Sequence, residues 1–336
     1  MDKKPSVGVI TEEAAPTTER VSMFSPRAIL FFIGVAWALT PWANPPLALA
    51  VGMAFAIVIG HPFSTQAHKA SGWLLRASVV LLGFGMNLVD VLIAGLHGLL
   101  FALATIAGAL GLGALLGRWL KVSPKVATLI SAGTAICGGS AIAAVGTVIE
   151  ADQAEMSVSI GTVFLLNAVA LFLFPPLGHR LGLTQEQFGT WAGVAIHDIS
   201  SVVGAAKVYG PQALSVATAV KLSRSLWIVP VALAAGWFHS RNNKQATASP
   251  KPLPRPWFIL FFLLASIART WVPFVASISG FLGQLATMGL TATLFLIGSG
   301  LSLPALKRVG WRPLAQGLVI WTVLGSLSLA VIEGIH

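Results

Sequence analysis

His197 and Asp198 stand side by side in an otherwise apolar stretch, and Lys221 and Arg224 follow three residues apart, on one face of any helix that contains them. In a chain this apolar, an intramembrane Asp or His is by default a functional residue, because proton relays and ion sites require groups that titrate or neutralise a cation. His197 and Asp198 are therefore the candidates for coupling to H+ or Na+, with Ser200 and Ser201 as hydroxyl ligands. Arg224 is permanently charged and forks onto sulfate-like or carboxylate oxygens, whereas Lys221 is a point charge that either shares the anion or snorkels to the nearer surface. A purely structural hydrogen-bonded His–Asp pair, or an Asp198–Arg224 ion pair, is the competing reading.

A second stretch carries no charge but has an equally unusual composition. Ser131 to Ser140 holds the glycines Gly133, Gly138 and Gly139 and the small polar side chains Ser131, Thr134, Cys137 and Ser140. Glycine weakens a helix by about 1 kcal/mol relative to alanine. Backbone groups left unpaired in hydrocarbon cost several kcal/mol, so a break here must line protein or water. A second half-helix starting near Gly139 or Ser140 would aim free N–H groups at an anion. The alternative is a small-residue packing surface.

These residues need apolar elements to carry them. The chain has 336 residues, of which 56% are hydrophobic and 10% charged, and its mean hydropathy is +0.84. It reads as an all-α polytopic membrane protein with about eleven transmembrane helices, since each needs about 20 apolar residues. The net charge of +10 lies in short gaps between apolar runs, which argues for positive-inside topology and against nucleic acid. Cys137 is the one cysteine, so an internal disulfide is excluded.

Residues 1–25 read as a disordered cytoplasmic tail. Residues 26–240 form a first helical group containing two discontinuous segments, 125–149 and 186–209; residues 241–256 form a Pro-rich cytoplasmic linker, and 257–336 a C-terminal helical group. An N-terminus in the cytoplasm puts Lys69, Arg118, Lys121, Lys125, Arg180 and Arg241 on one side and Glu150, Asp152 and Glu155 on the other. Most of the 11 Trp residues lie near span ends, as interfacial anchors do.

Two internal matches suggest repeats. Gly83-Phe84-Gly85-Met86-Asn87-Leu88 recurs as Gly298-Ser299-Gly300-Leu301-Ser302-Leu303, and Gly133, Ala135, Ile136 and Ser140 recur as Gly193, Ala195, Ile196 and Ser200. With eleven crossings the first pair is inverted and the second parallel. Re-entrant hairpins at 125–149 and 186–209 would invert the second pair too, at the expense of the charge pattern, so crossing helices are the expectation. Asn87 joins the candidate substrate contacts; Asn167 and Arg269 are lesser ones. No nucleophile elbow, Walker loop, zinc helix or dinucleotide fingerprint is present, and an enzyme is not expected.

Together, 132–141, His197-Asp198 with the following Ser-Ser-Val-Val-Gly-Ala, Lys221, Arg224 and Gly-Phe-Gly-Met-Asn-Leu resemble the sulfate exporter family, the YeiH-like bacterial inner-membrane proteins. The resemblance covers about residues 28 to 333. It implies a bile-acid/sodium symporter-like architecture in which 133–140 and 195–201 are the crossing breaks. It also implies a small anion, sulfate or an organosulfonate, as cargo in the lipid bilayer of the inner membrane. Relatives often carry His-Glu where this chain has His197-Asp198, which retracts the charge by one methylene. No cofactor beyond a coupling ion is expected, and a homodimer is the partner expectation. Rival readings are a sodium-coupled carrier of another small organic solute and an anion channel.

Overall fold

The computed structural model describes residues 25–60, 62–242, 257–301 and 309–334. Residues 1–24 of the expected tail, 243–256 of the expected linker, Ser302 and Leu303 lie outside the described residues. The described residues are helical throughout, in the order α1 (Pro26–Ala38), α2 (Pro45–Val58), α3 (Ser64–Gly83), α4 (Leu88–Trp119), α5 (Pro124–Ala135), α6 (Gly139–Val148) and α7 (Gln153–Arg180), followed by α8 (Gln185–Ala195), α9 (Ile199–Tyr209), α10 (Pro211–Ser225), α11 (Ile228–Asn242), α12 (Trp257–Trp271), α13 (Pro273–Gly300) and α14 (Trp311–Gly334). Starts are encoded locally. Ser123 caps α5, Asp152 with Glu155 and Thr184 with Gln187 form capping boxes on α7 and α8, and Asn87 caps α4.

Among the described residues, five stretches are long and apolar enough to cross a membrane: Phe101–Trp119, Gln153–Arg180, Pro211–His239, Pro273–Gly300 and Trp311–Gly334. Shorter apolar helices, among them α1, α2, α6, α9 and α12, accompany them. The chain is thus a polytopic, all-helical membrane protein.

The two discontinuous segments are not crossing helices. In the first, Lys125 at the start of α5 donates to the carbonyl of Glu150, just beyond α6, at 2.7 Å, and lies 3.9 Å from the Glu155 carboxylate. The start and end of the segment are therefore neighbours, and α5 and α6 fold back as a re-entrant hairpin. The second does the same. The Tyr209 hydroxyl, ending α9, donates to the Leu183 carbonyl ahead of α8 at 2.6 Å, and its ring stacks on Phe188 of α8 at 3.7 Å. The expected crossing geometry is corrected on these contacts, and so is the expected charge pattern: Glu150 and Glu155 sit with Lys125, not across the membrane from it.

α7 sets the relation between the hairpins. Its 28 residues span about 42 Å at 1.5 Å per residue. The first hairpin is rooted at its N-terminus and the second at its C-terminus, so the two enter from opposite ends with their tips converging between.

The remaining helices form two packed sets. α13 lies on α2 and α3, and α12 on α3. The α2–α13 approach is backbone to backbone, since a side chain at Gly52 would strike the Phe295 carbonyl and one at Gly298 the Leu49 carbonyl. α4, α7, α10, α11 and α14 surround the hairpins. Helices on both sides of the linker therefore contribute to both sets.

Candidate functional site

Each hairpin bends at a short non-helical tip. In the first, α5 ends at Ala135 and Gly138 takes φ 70°, ψ −126°, a left-handed conformation that glycine adopts without a Cβ penalty. Its N–H returns to the Gly133 carbonyl at 2.9 Å. In the second, Ile196 turns extended and Asp198 becomes the N-cap of α9. A Cβ built on Gly138 would lie 3.5 Å from both Asp198 Cβ and the His197 carbonyl. The tips therefore touch, at ordinary van der Waals distance.

Convergent helix ends make this junction polar. The C-terminal carbonyls of α5 and α8 and the N-terminal N–H groups of α6 and α9 all lie at the tips, where half-helices leave backbone groups unpaired. Lys221 Nζ donates to the Ile196 carbonyl at the end of α8, at 2.6 Å. Arg224 donates through Nη2 to the Ala135 carbonyl at the end of α5, and through Nη1 to Thr105 Oγ1 at 2.8 Å. One face of α10 thus places a cation on the negative end of each first arm. Both side chains are 0% exposed and lie near the middle of the 29-residue run Pro211–His239, so Lys221 does not snorkel.

The two N-termini differ. Asp198 fills that of α9, where its carboxylate accepts from the Ser200 N–H at 3.0 Å and from the Ser200 hydroxyl. The N-terminus of α6 has glycine as its N-cap and no side-chain cap. Cys137 lies within hydrogen-bonding reach of the Ala141 N–H and of Ser225. Ser140, in the first turn, is exposed and borders a cavity of about 660 Å³.

Other side chains hold the tips. Asn167, midway along α7, accepts from the Asp198 N–H at 3.0 Å and donates to Ser201 Oγ at 2.6 Å. Trp321 of α14 donates to the Ala195 carbonyl at 3.1 Å, and its ring centroid is 6.1 Å from that of His197. Neither ring nitrogen of His197, nor Thr134 Oγ1, nor Arg224 Nε has a hydrogen-bond partner among the described residues. Buried polar groups are ordinarily paired, so these orphans mark a place where water, a proton or a ligand belongs.

The structure thus unites Thr134, Cys137, Gly138, Gly139, Ser140, His197, Asp198, Ser200, Ser201, Lys221 and Arg224 at or beside the tips. Gly133 sits between the arms of its own hairpin, against Ile142. Ser131 packs lower on α5, donating to the Ala127 carbonyl at 2.6 Å and accepting from Gln316 at 3.4 Å. Asn87 is spent as the cap of α4, accepting from the Val89 N–H at 2.8 Å, and lies about 27 Å along that helix from Thr105. Thr105 and Trp321 escaped the sequence reading because neither type is unusual in a membrane helix. Asn167, a lesser candidate in the sequence, joins α7 to the second tip through its amide.

Relatives of the chain can now be set beside this geometry. A family described as conserved hypothetical protein 698 matches residues 18–317. A UPF0324 membrane protein of Bacteroides thetaiotaomicron is 47% identical over 300 residues, covering 88% of each chain. The chain belongs to the UPF0324 membrane protein family. Further members are 48% identical over 296 residues in Porphyromonas gingivalis, covering 87% of this chain and 88% of that one, and 45% identical over 304 residues in Bdellovibrio bacteriovorus, covering 90% and 93%. No solved structure matches this UPF0324 protein.

Proposed function

We propose that this UPF0324 protein is a secondary active transporter of a small anion, with sulfate or an organosulfonate as cargo, moved by ion-coupled alternating access around the two hairpin tips. The observation that carries the reading is the charge balance at the junction. Two fully buried cations, Lys221 and Arg224, face one carboxylate, Asp198, and Lys125–Glu155 is the salt bridge found among the described residues. The buried cations bond to carbonyls and a hydroxyl, so the junction keeps a surplus positive charge that an anion would neutralise.

In this mechanism the first turn of α6 offers its N–H groups to the anion, and Arg224 and Lys221 supply the field. His197, with two free ring nitrogens, takes up or releases a coupling proton, while Asp198 keeps hairpin two in register. Hairpins rooted at opposite ends of α7 give each aqueous side its own gate. With the hairpins so rooted, a repeat relating 133–140 to 193–200 would be inverted, as is the one expected for 83–88 and 298–303. In this reading the protein resides in a bacterial inner membrane with its N-terminus and the root of hairpin one cytoplasmic, the side to which a positive-inside pattern assigns Lys69, Arg118, Lys121, Lys125 and Arg241.

The test is uptake of labelled sulfate and taurine into proteoliposomes under imposed proton or sodium gradients. Saturable flux driven by one gradient, and lost in Arg224→Gln, is expected. Absence of saturable flux for every anion tried overturns the reading; unsaturated conductance would instead identify a channel.

A further inference from the structure

The cavity beside Ser140 is too large and too apolar for a bare inorganic anion. It occupies about 660 Å³ between α3, α6, α11 and α12, with Trp73 and Arg76 from α3, Ser140 from α6, and Trp257, Phe258 and Phe261 from α12 among its lining residues. That volume falls within the ~300–1,000 Å³ range of sites for small organic molecules, whose usual build is apolar walls with a few placed polar groups. Trp257 is 56% and Phe261 53% exposed, so these walls are available for contact.

Its polar features favour one sign of charge. Arg76 takes part in no ion pair or hydrogen bond among the described residues, and a guanidinium forks onto the paired oxygens of a sulfonate or carboxylate. The first turn of α6 adds the Ser140 hydroxyl and N–H groups that its N-cap residue, Gly138, does not cap. No carboxylate is among the described residues that line the cavity. A sulfate ion would satisfy these groups and leave the aromatic walls bare.

We propose that this cavity binds an amphiphilic organic anion, its anionic head between Arg76 and the first turn of α6 and its apolar body against Trp257, Phe258 and Phe261. The proposal deepens the transport reading and rests on it, because the head arrives at the tip of hairpin one. It narrows the cargo to organosulfonates or carboxylates with an apolar tail or ring. Each methylene buried on the aromatic wall should tighten binding about three- to fourfold.

The experiment uses the straight-chain series from methanesulfonate to hexanesulfonate. Each is measured as a competitor of labelled taurine flux in proteoliposomes and as a stabiliser of the purified wild-type protein against heat. Half-inhibitory concentration is expected to fall about three- to fourfold per methylene until the wall is covered. Arg76→Gln should raise it about tenfold for every member. Trp257→Ala and Phe261→Ala should flatten the series, while Phe261→Leu should retain most of it and so control for folding. A flat series with intact taurine or sulfate flux overturns the inference and spares the transport reading. A steep series for thermal stabilisation without any flux supports the cavity and overturns transport. A slope that persists in both alanine variants places the apolar contact elsewhere and overturns the inference. So does stabilisation by phosphatidylglycerol with no trend along the sulfonates, which assigns the cavity to lipid.

Discussion

Replacing Asn167 by Leu should loosen one hairpin tip and little else. The side chain is 3% exposed and makes two bonds into hairpin two, from the Asp198 N–H at 3.0 Å and to Ser201 Oγ at 2.6 Å. Leucine has the same heavy-atom branching, so no cavity opens. What is lost is pairing: each hydrogen bond contributes about 1 kcal/mol net, and leaving a buried partner unsatisfied pushes the cost toward 1–3 kcal/mol. Interhelical bonds in a membrane protein average about 0.6 kcal/mol, which lowers the expectation. Two bonds at about 1 kcal/mol each make opening of the tip easier by about 2 kcal/mol, or about 30-fold. Hydrogen exchange of the amides of residues 197–201, followed by mass spectrometry in detergent, reads this directly. Those amides should exchange about 30-fold faster in Asn167→Leu, while a peptide from the root of hairpin one, covering 146–151, keeps its wild-type rate. Equal protection of the tip in both proteins would refute the clamp. Acceleration spread over the whole chain would refute its locality.

Two further outcomes test the architecture. In a Cys137→Ser background, single cysteines at positions 125 and 150 should both react with an impermeant maleimide from one face of the membrane, and cysteines at 184 and 210 from the other; labelling of 125 and 150 from opposite faces would restore crossing helices. Gly138→Ala meets Asp198 only at ordinary contact distance, so its cost of about 1–3 kcal/mol comes from the positive φ alone and should lower both thermal stability and proteoliposome flux; a variant as stable and as active as the wild type contradicts the strained tip.

The breaks themselves were legible in the sequence, because Gly138-Gly139 and His197-Asp198 interrupt helices in ways that hydrocarbon penalises. Residues sixty positions apart share a sequence pattern, and the structure builds both stretches as arm, tip and arm. Direction was not legible. A break reports that a helix stops, whereas the fold-back is recorded in contacts such as Lys125 with Glu150 and Tyr209 with Leu183, between residues 25 or 26 positions apart. Loop charge misled for a related reason. Glu150 and Glu155 offset Lys125 locally, and carboxylates contribute little to positive-inside bias. Burial of Arg224 was readable from its depth in the run. The partners of Arg224 and Lys221, two helix-end carbonyls, became evident only when the tips were seen to meet.

The meeting of the tips also bears on how the protein feels a voltage. Were the cavity at Ser140 filled from one aqueous phase, the potential across the membrane would fall over the remaining insulating layer, where Gly138 abuts Asp198. Carrying one elementary charge through the whole potential corresponds to about 2.3 kcal/mol per 100 mV. A field compressed into so thin a layer would deliver much of that to a charge shifting by only a few ångströms, so small rearrangements of Lys221, Arg224 or a bound anion would be electrically large.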